Sequence, residues 1–351
     1  MKKSMGYTED TKILTEDGWR WVKDLESGCM VHTLDYQGQL CVTPVQKVIC
    51  EEYSGEVLHL KSSKIDLDIG ALQPLFVRTE NKSPLHVPAQ DVTHKHIFLK
   101  GAQIPEIMAE QIVGLPSVVD GGFLKRVVAE RYLDTNQFLL FLGLWVTDGS
   151  IRLTGRAGNQ VRISQVKPSV RAVIDKLLAA LDFKYSYSCK SYYMYSKQLF
   201  CFLREQFIKN NDPKKGYYVS IPLWIKKMHA LHLEHLVKGL MLGDGRLEPN
   251  CEYSGYLTTA SEALAEDFAE IALKMGRCAT IRKKGVGMVH SKQKVPYYFV
   301  SLLKPITHYA RTTQVLSKFY SGPLYSIFLD GQKPVYIMQK GKTLWGGTNG
   351  E

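Results

Sequence analysis

The chain lacks the sequence signals of several large protein classes. Its seven cysteines are scattered, odd in number and never in Cys-x-x-Cys spacing, which argues against a disulfide framework and a thiolate zinc site. No apolar run approaches about 18 residues, so no transmembrane helix is expected. No apolar segment follows the two lysines of MKKSMGYTEDTK, so this is not a secretory signal. These absences predict a cytoplasmic protein with no membrane partner.

The composition predicts a large folded chain with a polyanionic partner. The sequence has 351 residues, of which 45% are hydrophobic and 11% aromatic, enough for two or three domains with buried cores. Its formal net charge is +11, which favours a partner such as nucleic acid.

The order of local patterns indicates one domain inserted into another. Residues 6–105 are β-rich, with short apolar stretches separated by Gly, Asp, Asn and Ser. Helical and strand-like segments then alternate up to about residue 305. The remainder is again β-rich, with hairpin turns predicted at Asp330-Gly331 and Lys340-Gly341. YSGEVLHL at 53 recurs as YSGPLYSI at 320, a doubling that fits a β fold of two related halves.

Two apolar segments in the middle end in the same way. FLLFLGLWVTDGS (138–150) ends in Asp148-Gly149, and LVKGLMLGDGR (236–246) ends in Asp244-Gly245. A single copy would be an ordinary buried helix that stops at a glycine with positive φ. Each copy, however, is followed by a strand, an amphipathic helix and paired strands in the same order. The repeat therefore predicts a pseudo-dimer within one chain.

A glycine lies five residues before each aspartate. Gly143 and Gly239 would each cost about 1 kcal/mol in a helix unless close packing uses them. If the two helices pack through these glycines, Asp148 and Asp244 become neighbours. Adjacent carboxylates repel unless a cation neutralises them, and Mg²⁺ is a natural choice. A carboxylate-held metal between related halves suits phosphodiester hydrolysis.

At this point the sequence resembles a known family. FLGLWVTDG and VKGLMLGDG resemble the two motifs of single-chain LAGLIDADG homing endonucleases, over roughly residues 125–305. The resemblance implies that the motif helices form the central interface and that Asp148 and Asp244 are catalytic metal ligands. It also implies that Gly149 and Gly245 belong to the metal site. It also implies a lysine that polarises the attacking water, for which Lys215 and Lys284 are candidates.

The strands of both halves are expected to face DNA. Residues 160–220 are rich in Lys, Arg and Tyr, and the alternation in KYSYSCKSYYMYS places one set of side chains on an open face. A solvated basic sheet with an aromatic reverse side is the alternative. The predicted DNA-binding residues are Arg162, Lys184, Lys190, Tyr193, Tyr195, Arg282, Lys283, Lys292 and Lys294.

The two ends resemble the Hint fold of inteins. The segments that carry this resemblance are EDTKILTEDGWRWVKDLESGCMVHTLD, PLFVRTENKSPLHVPAQDV and PLYSIFLDGQKPVYIMQKGKTLW. The residues at the splicing positions would be Gly6, Gly70, Gln73 and Asn349, with Thr348 in place of the preceding His and Gly350 in place of a nucleophile. Glycine has no side-chain nucleophile, so the splicing chemistry does not carry over.

The sequence thus predicts a multidomain α+β chain. A pseudo-twofold αββαββ LAGLIDADG domain at 111–305 (repeats about 125–225 and 226–305) interrupts an all-β Hint-like domain at 1–110 and 306–351. The expected function is Mg²⁺- or other divalent-metal-dependent cleavage of double-stranded DNA at a long asymmetric site by a monomer. The alternatives are a protein-splicing intein element and a non-cleaving DNA- or RNA-binding protein, such as a maturase or repressor, of the same fold.

Overall fold

The fold is given by a computed structural model that describes most of the chain. The described residues are 4–80, 82–104, 112–120, 125–152, 159–208, 215–247, 255–288, 294–303, 310–311 and 314–350. Their contacts divide the chain into two compact units. The first unit comprises Met1–Glu106, Ala269–Arg282 and Val300–Glu351, and the second comprises Ile107–Phe268 and Lys283–Phe299.

The first unit is mostly β, as its alternating apolar stretches predict. The hairpin turn predicted at Lys340-Gly341 forms between two paired strands, with Lys340 at φ 48° and Gly341 at φ 72°. At Asp330-Gly331 the chain turns through the 3₁₀ segment Asp330–Gln332, with Gly331 at φ 68°, but the flanking strands pair with other strands. The strands are Tyr7–Thr8, Lys12–Thr15, Gly18–Trp21, Met30–Leu34, Leu40–Lys61, Asp66–Ile69, Pro74–Arg78, Leu85–Pro88, Ile97–Phe98, Ala310–Arg311, Gln314–Leu329, Val335–Gln339 and Lys342–Gly346.

A long antiparallel ribbon joins the two ends of the sequence in this unit. Leu40–Lys61 pairs with Gln314–Leu329, and the recurring YSG segments lie opposite each other, with Ser54 facing Ser321. Two copies related by a local twofold axis would pair in this way. The main apolar core is likewise built from both ends of the sequence, for example from Ile13 and Ile337.

The second unit carries the helices and a smaller set of strands. The helices are α1 Thr135–Asp148, α2 Pro168–Ala180, α3 Lys197–Phe207, α4 Leu223–Lys226 and α5 Ala230–Gly243, and α6 Glu262–Lys274 is divided between the units. The strands are Val113–Leu115, Val118–Asp120, Arg126–Val128, Arg131–Leu133, Gly149–Arg152, Gln160–Ser164, Tyr185–Ser188, Ser191–Tyr195, Gly245–Leu247 and Gly255–Thr259, with Cys278–Met288 and Lys294–Leu303 divided between the units.

Local side chains fix where these helices begin. The Asp134 carboxylate accepts a hydrogen bond from Gln137 N (2.8 Å) at the start of α1, and Pro168 opens α2. The Ser196 hydroxyl accepts from Leu199 N (3.2 Å), and the Ser261 hydroxyl accepts from Leu264 N (3.2 Å) before α6. Each cap supplies a partner for an N–H group that has none within the helix.

The division between the units differs from the predicted insertion at 111–305. Residues 269–282 and 300–303 belong with the first unit by their contacts. Backbone hydrogen bonding explains part of this, because Thr280 pairs with Lys342 and Ile281 N donates to Gly341 O (2.8 Å). The sequence pattern of α6 and its following strand gave no sign of these long-range contacts.

None of the helices in the described ranges is long and apolar enough to cross a membrane.

Candidate functional site

The two motif helices pack glycine against glycine, as predicted. A Cβ built on Gly143 would meet the Leu236 carbonyl oxygen, and would lie 2.7 Å from Leu240 N and 2.8 Å from Gly239 Cα. A Cβ on Gly239 would meet the Leu140 carbonyl oxygen and lie 2.9 Å from Gly143 Cα. Such a close approach is possible only because neither helix has a side chain at the point of contact. The backbones of α1 and α5 are therefore in direct contact.

This packing brings the carboxyl ends of α1 and α5 side by side. At the end of α5, a Cβ on Gly243 would meet the Thr147 hydroxyl and would lie 3.2 Å from Asp148 Oδ2. Asp244 follows Gly243 directly. Asp148 is half-buried and Asp244 is exposed. The carboxylate-bearing ends of the two motifs thus adjoin.

The positive φ that a single helix would predict for the glycines after the aspartates is not adopted. Gly149 has φ −95° and ψ 161°, and Gly245 is not among the glycines with positive φ. Glycine is needed for space instead, because a Cβ at Gly149 would collide with Trp145 and one at Gly245 would lie 2.5 Å from Met241 Cα. The tight turn lets each chain pass directly from helix into an extended strand.

Gln165 holds the Asp148 carboxylate, a contact that the sequence did not reveal. Its Nε2 donates to Asp148 Oδ2 at 2.9 Å. Its Oε1 accepts from Val166 N (2.9 Å) and Lys167 N (3.0 Å), so the whole amide is fixed. Gln165 is 6% exposed. The only local sign of this contact in the sequence is the position of Gln165, between the strand Gln160–Ser164 and Pro168 at the start of α2.

The two carboxylates at the helix ends are oxygen donors of the type that Mg²⁺ uses. Among the described residues, no group of three or more His, Cys, Asp or Glu side chains could hold a metal. Mg²⁺ does not require one, because it commonly uses one or two carboxylates and takes its other ligands from water and substrate phosphates. The converging helix ends also present the negative ends of two helix dipoles, which favours a cation.

The structure describes the side chain of only one of the two candidate lysines. Lys284 lies on Cys278–Met288 and its side chain is exposed. Lys215 begins the short 3₁₀ segment Lys215–Tyr217, and its side chain is outside the described part of the structure. The assisting lysine therefore stays a prediction.

The first half has an antiparallel sheet with one apolar face. Tyr185–Ser188, Ser191–Tyr195, Gln160–Ser164 and Gly149–Arg152 pair in that spatial order. Side chains alternate between the two faces of a strand. The buried face consists of Val161, Ile163, Tyr192 and Met194, with Tyr192 OH donating to the Arg171 carbonyl (3.2 Å) in α2.

The other face of this sheet is polar and open. Arg162 lies opposite Tyr193 in the register, and its guanidinium carbon is 5.8 Å from the centroid of that ring. Gln160 Nε2 donates to the exposed Tyr195 hydroxyl at 2.8 Å. Lys190 is exposed at the tip of the hairpin with φ 61°, and exposed Lys184 precedes the first strand of that hairpin. The predicted residues of this half thus share one accessible surface or its rim.

The second half carries different residues at the matching positions. Arg246 lies opposite Tyr256, whose ring stacks on Phe299 with centroids 4.2 Å apart. Sequence reasoning missed these three residues because no local alternation marks them. Arg282 and Lys283 are exposed on their strand, and Lys283 Nζ is 5.7 Å from the Tyr298 ring centroid. Lys292 and the side chain of Lys294 are outside the described residues.

Three of the residues at the splicing positions are joined by hydrogen bonds in the first unit, namely Gly6, Gly70 and Gln73. Gly70 N donates to Gly6 O (2.9 Å), and Gln73 Nε2 donates to Gly347 O (2.9 Å). Tyr7 OH donates to the same Gly347 oxygen at 2.6 Å, and burial keeps this phenol protonated by raising its pKa well above the usual value of 10.0. Asn349 is 3% exposed, and its side-chain amide has no described hydrogen-bond partner.

Glycine is required by space at two of these splicing positions. Gly6 has φ 122°, and its Cβ would lie 2.9 Å from Tyr325 N. A Cβ on Gly70 would lie 2.9 Å from Met5 Cα. The Thr348 hydroxyl donates to the Lys333 carbonyl at 2.7 Å. The site therefore presents backbone contacts where a nucleophile would be expected.

Comparison with known proteins gives distant matches. No family model matches the chain. It is 26% identical over 291 residues to an ATP-dependent Clp protease proteolytic subunit of Chlamydomonas moewusii, covering 78% of this chain and 28% of that protein. It is 24% identical over 239 residues to the C-terminal section of a DNA-directed RNA polymerase subunit beta of Stigeoclonium helveticum, covering 62% of this chain and 21% of that protein. The chain therefore spans less than a third of either relative.

Solved structures with local similarity include inteins and an intein-like domain. An intein-like domain from Clostridium thermocellum has TM-score 0.24 and 18% identity, covering 27% of this chain and 67% of that one. The AceL NrdHF class 3 split intein has TM-score 0.25 and 12% identity, covering 36% and 74%. The PabCDC21-1 intein has TM-score 0.22 and 11% identity, covering 37% and 82%.

Proposed function

We propose that the chain is a site-specific, divalent-metal-dependent double-strand DNA endonuclease of the LAGLIDADG type, carried by an intein-like β domain that no longer splices. The observation that carries the proposal is the contact between α1 and α5. Glycine-to-glycine packing places Asp148 against the residue that precedes Asp244. Each of these carboxylates lies at the negative end of a helix dipole, so a bound cation would stabilise both.

In this proposal Asp148 and Asp244 hold the metal, and Gln165 orients Asp148. The bound ion would supply Lewis-acid stabilisation of charge on the scissile phosphate. The oxygen of a water molecule forms a bond to phosphorus while one P–O ester bond breaks. The water proton passes to solvent, and the leaving sugar oxygen is protonated. The chain's own groups fix the carboxylates and hold the DNA in place.

The open faces of the two halves would bind the duplex. Arg162 and Arg246 supply charge to neutralise phosphates, and Tyr193 and Tyr256 supply hydroxyl groups for phosphates or base edges. Because the matching positions differ in residue type, the two halves would prefer different sequences. A long asymmetric site is the expected consequence.

The curated relatives support an inserted element. Their names describe two unrelated proteins, a protease subunit and an RNA polymerase subunit, and the shared segment is a minor part of each. Each match is also longer than either compact unit, so residues of both units take part. A segment shared by functionally unrelated hosts is what a mobile element would produce.

Cleavage by carboxylate variants tests the proposal. The target is first selected from a randomised duplex library by incubating the protein with Mg²⁺. Asp148→Asn and Asp244→Asn then remove one charge each while preserving shape, and we expect each to lose at least about 100-fold in cleavage rate. DNA binding should persist in both variants. Full cleavage by both would rule out the assignment.

A protein-splicing element is the second candidate, favoured by the hydrogen bonds that join Gly6, Gly70 and Gln73 and by the contact of Gln73 with Gly347, two residues before Asn349. Acyl transfer from Gly6 has no nucleophile. A precursor with flanking sequences should therefore yield no ligated product on a gel. Detection of a ligated product would show that the β domain splices and would favour the splicing element over the proposed function.

A further inference from the structure

Two ammonium groups meet at one turn of the first unit. Lys100 Nζ donates to the Lys64 carbonyl oxygen at 2.7 Å, and Lys342 Nζ donates to the Ser63 carbonyl oxygen at 3.1 Å. The carbonyl groups of consecutive residues are neighbours, so two positive charges are brought together at residues 62–65. We call residues 62–65, with Lys100 and Lys342, the cationic turn.

Both lysines are anchored through their backbones. Tyr336 OH donates to the Lys100 carbonyl oxygen at 2.9 Å, and Lys342 pairs with Thr280 in an antiparallel register. Lys100 is also only 2% exposed. Its side chain therefore has little freedom to move its charge away from Lys342.

The partners of these ammonium groups are neutral. Among the described residues, neither Lys100 nor Lys342 contacts a carboxylate, and each donates to a carbonyl oxygen instead. Asp66 acts on Lys342 only through its charge, and Lys340 Nζ binds the Asp66 carboxylate at 3.2 Å. A buried positive charge is costly unless a negative charge compensates it. The cationic turn thus carries more positive charge than its described neighbours neutralise.

The pKa values of both lysines respond to this crowding. Burial lowers the pKa of Lys100 to about 8, aided by the charges of Lys342 and Lys64 and opposed by Cys278. Burial, together with the charge of Arg282, also lowers the pKa of Lys342. A bound anion would favour the charged form of both lysines, and the two charges would in turn hold the anion.

The cationic turn is accessible from solvent. Ser63 is exposed and the Lys342 side chain is half-buried. Arg282 is exposed and follows Thr280, the register partner of Lys342, by two residues. Alternate residues of a strand share a face, so Arg282 and Lys342 point to the same side of the sheet. An anion can approach these two groups from solvent, with Lys100 adding charge from the interior.

We propose that the cationic turn and Arg282 form a phosphate-binding site in the first unit. A guanidinium group binds two phosphate oxygens at once, and an ammonium group acts as a compact point charge. The phosphate can belong to the backbone of duplex DNA or to a free phosphate compound. The site contains neither motif aspartate, so it does not depend on the proposed nuclease function.

Titration of pyrophosphate into the full chain, followed by calorimetry at constant ionic strength, measures the site directly. Lys342→Met removes one ammonium group and keeps most of the volume of the side chain. The matched control is Lys333→Met, which removes one charge from the same C-terminal segment, where Lys333 Nζ donates to Thr43 Oγ1 at 3.4 Å. Urea unfolding without phosphate shows whether each variant is folded.

We expect Lys342→Met to weaken pyrophosphate binding at least about tenfold, because a hydrogen bond to a charged group is lost. Arg282→Met should weaken it in the same direction, and this exposed position keeps the test open if Lys342→Met does not fold. Lys333→Met should bind like wild type. No binding by wild type, unchanged binding by Lys342→Met, or equal weakening by both lysine variants would overturn the proposal.

A mixed-sequence DNA duplex distinguishes the two sources of phosphate. Binding is measured at several salt concentrations without divalent cations, so that no strand is cut. If the site holds a backbone phosphate, Lys342→Met lowers the slope of log K against log salt by about one, whereas Lys333→Met leaves it unchanged. An unchanged slope with weakened pyrophosphate binding assigns the site to a free phosphate compound. A wild type that binds pyrophosphate but no duplex would refute the nuclease function and support the phosphate site.

Discussion

Replacing Gly143 with alanine tests the helix contact on which the candidate active site depends. The added Cβ would lie 2.7 Å from Leu240 N, whereas ordinary contact begins at 3.4 Å. Helix backbone atoms cannot rotate away, so α1 and α5 would have to separate by about 0.7 Å or more. Overpacking costs about 1–3 kcal/mol, and the higher helix propensity of alanine returns about 1 kcal/mol. Because the nearest atoms are all backbone, we expect a net loss of about 1–2 kcal/mol in the free energy of unfolding.

Urea unfolding measures this loss, with Gly216→Ala as the control. No described atom lies within 4 Å of a Cβ on Gly216, and its φ is not positive. That variant should remain within about 0.5 kcal/mol of wild type. Gly239→Ala should behave like Gly143→Ala. The double variant should lose less than the sum, because the first substitution opens the gap that the second needs.

The same variants connect packing to function. A separation of the helices moves Asp148 away from Gly243, so cleavage should fall even where the protein remains folded. Unchanged stability in Gly143→Ala, or strictly additive losses in the double variant, would refute the glycine-to-glycine packing of α1 and α5.

Two further predictions concern buried charges of the first unit. Burial alone would raise the pKa of Asp68, but hydrogen bonds from Lys318, Lys340 and His59 outweigh it and lower the pKa from 3.8 to about 2. The ionised Asp68 carboxylate therefore stabilises the folded state above pH 4, and this contribution is lost as pH falls towards 2. Asp68→Asn should lower the free energy of unfolding by about 2 kcal/mol at pH 7 and by little at pH 2, as measured by urea unfolding. Burial lowers the pKa of Lys100 from 10.5 to about 8. The unfolded chain then holds the proton that the folded chain has lost, so stability should rise between about pH 8 and 10.5, and unfolding titrations of Lys100→Met should show no such rise.

The candidate site was predictable where it depends on a repeated local pattern. Gly143 and Gly239 recur at the same distance before Asp148 and Asp244, and a repeat in one chain implies two similar elements that pack together. The alternation of KYSYSCKSYYMYS likewise separated Tyr193 and Tyr195 on the open face from buried Tyr192. In each case the spacing of residues within one helix or strand is enough to predict which side chains share a face.

Features that depend on distant residues were missed. A glutamine has no signature that marks it as the partner of Asp148, and Gln165 lies 17 residues away in sequence. Gly149 differs for a local reason, because the side chain of Trp145, one turn earlier, leaves no space for a Cβ, whereas the pattern of a single helix predicts a stop with positive φ. The division of α6 between the units depends on partners in the C-terminal segment.

The sequence by itself determined that two apolar helices end in aspartates, that glycines allow their close approach, and that β-rich ends surround them. These properties follow from residue type and spacing, which set propensity and periodicity before any long-range contact forms. Only the tertiary structure decided that Gly243 lies against Asp148, that Gln165 donates a hydrogen bond to that carboxylate, and that Tyr7 and Gln73 meet at Gly347. Such contacts join residues far apart in sequence, and their geometry is set by how whole elements pack rather than by any local preference.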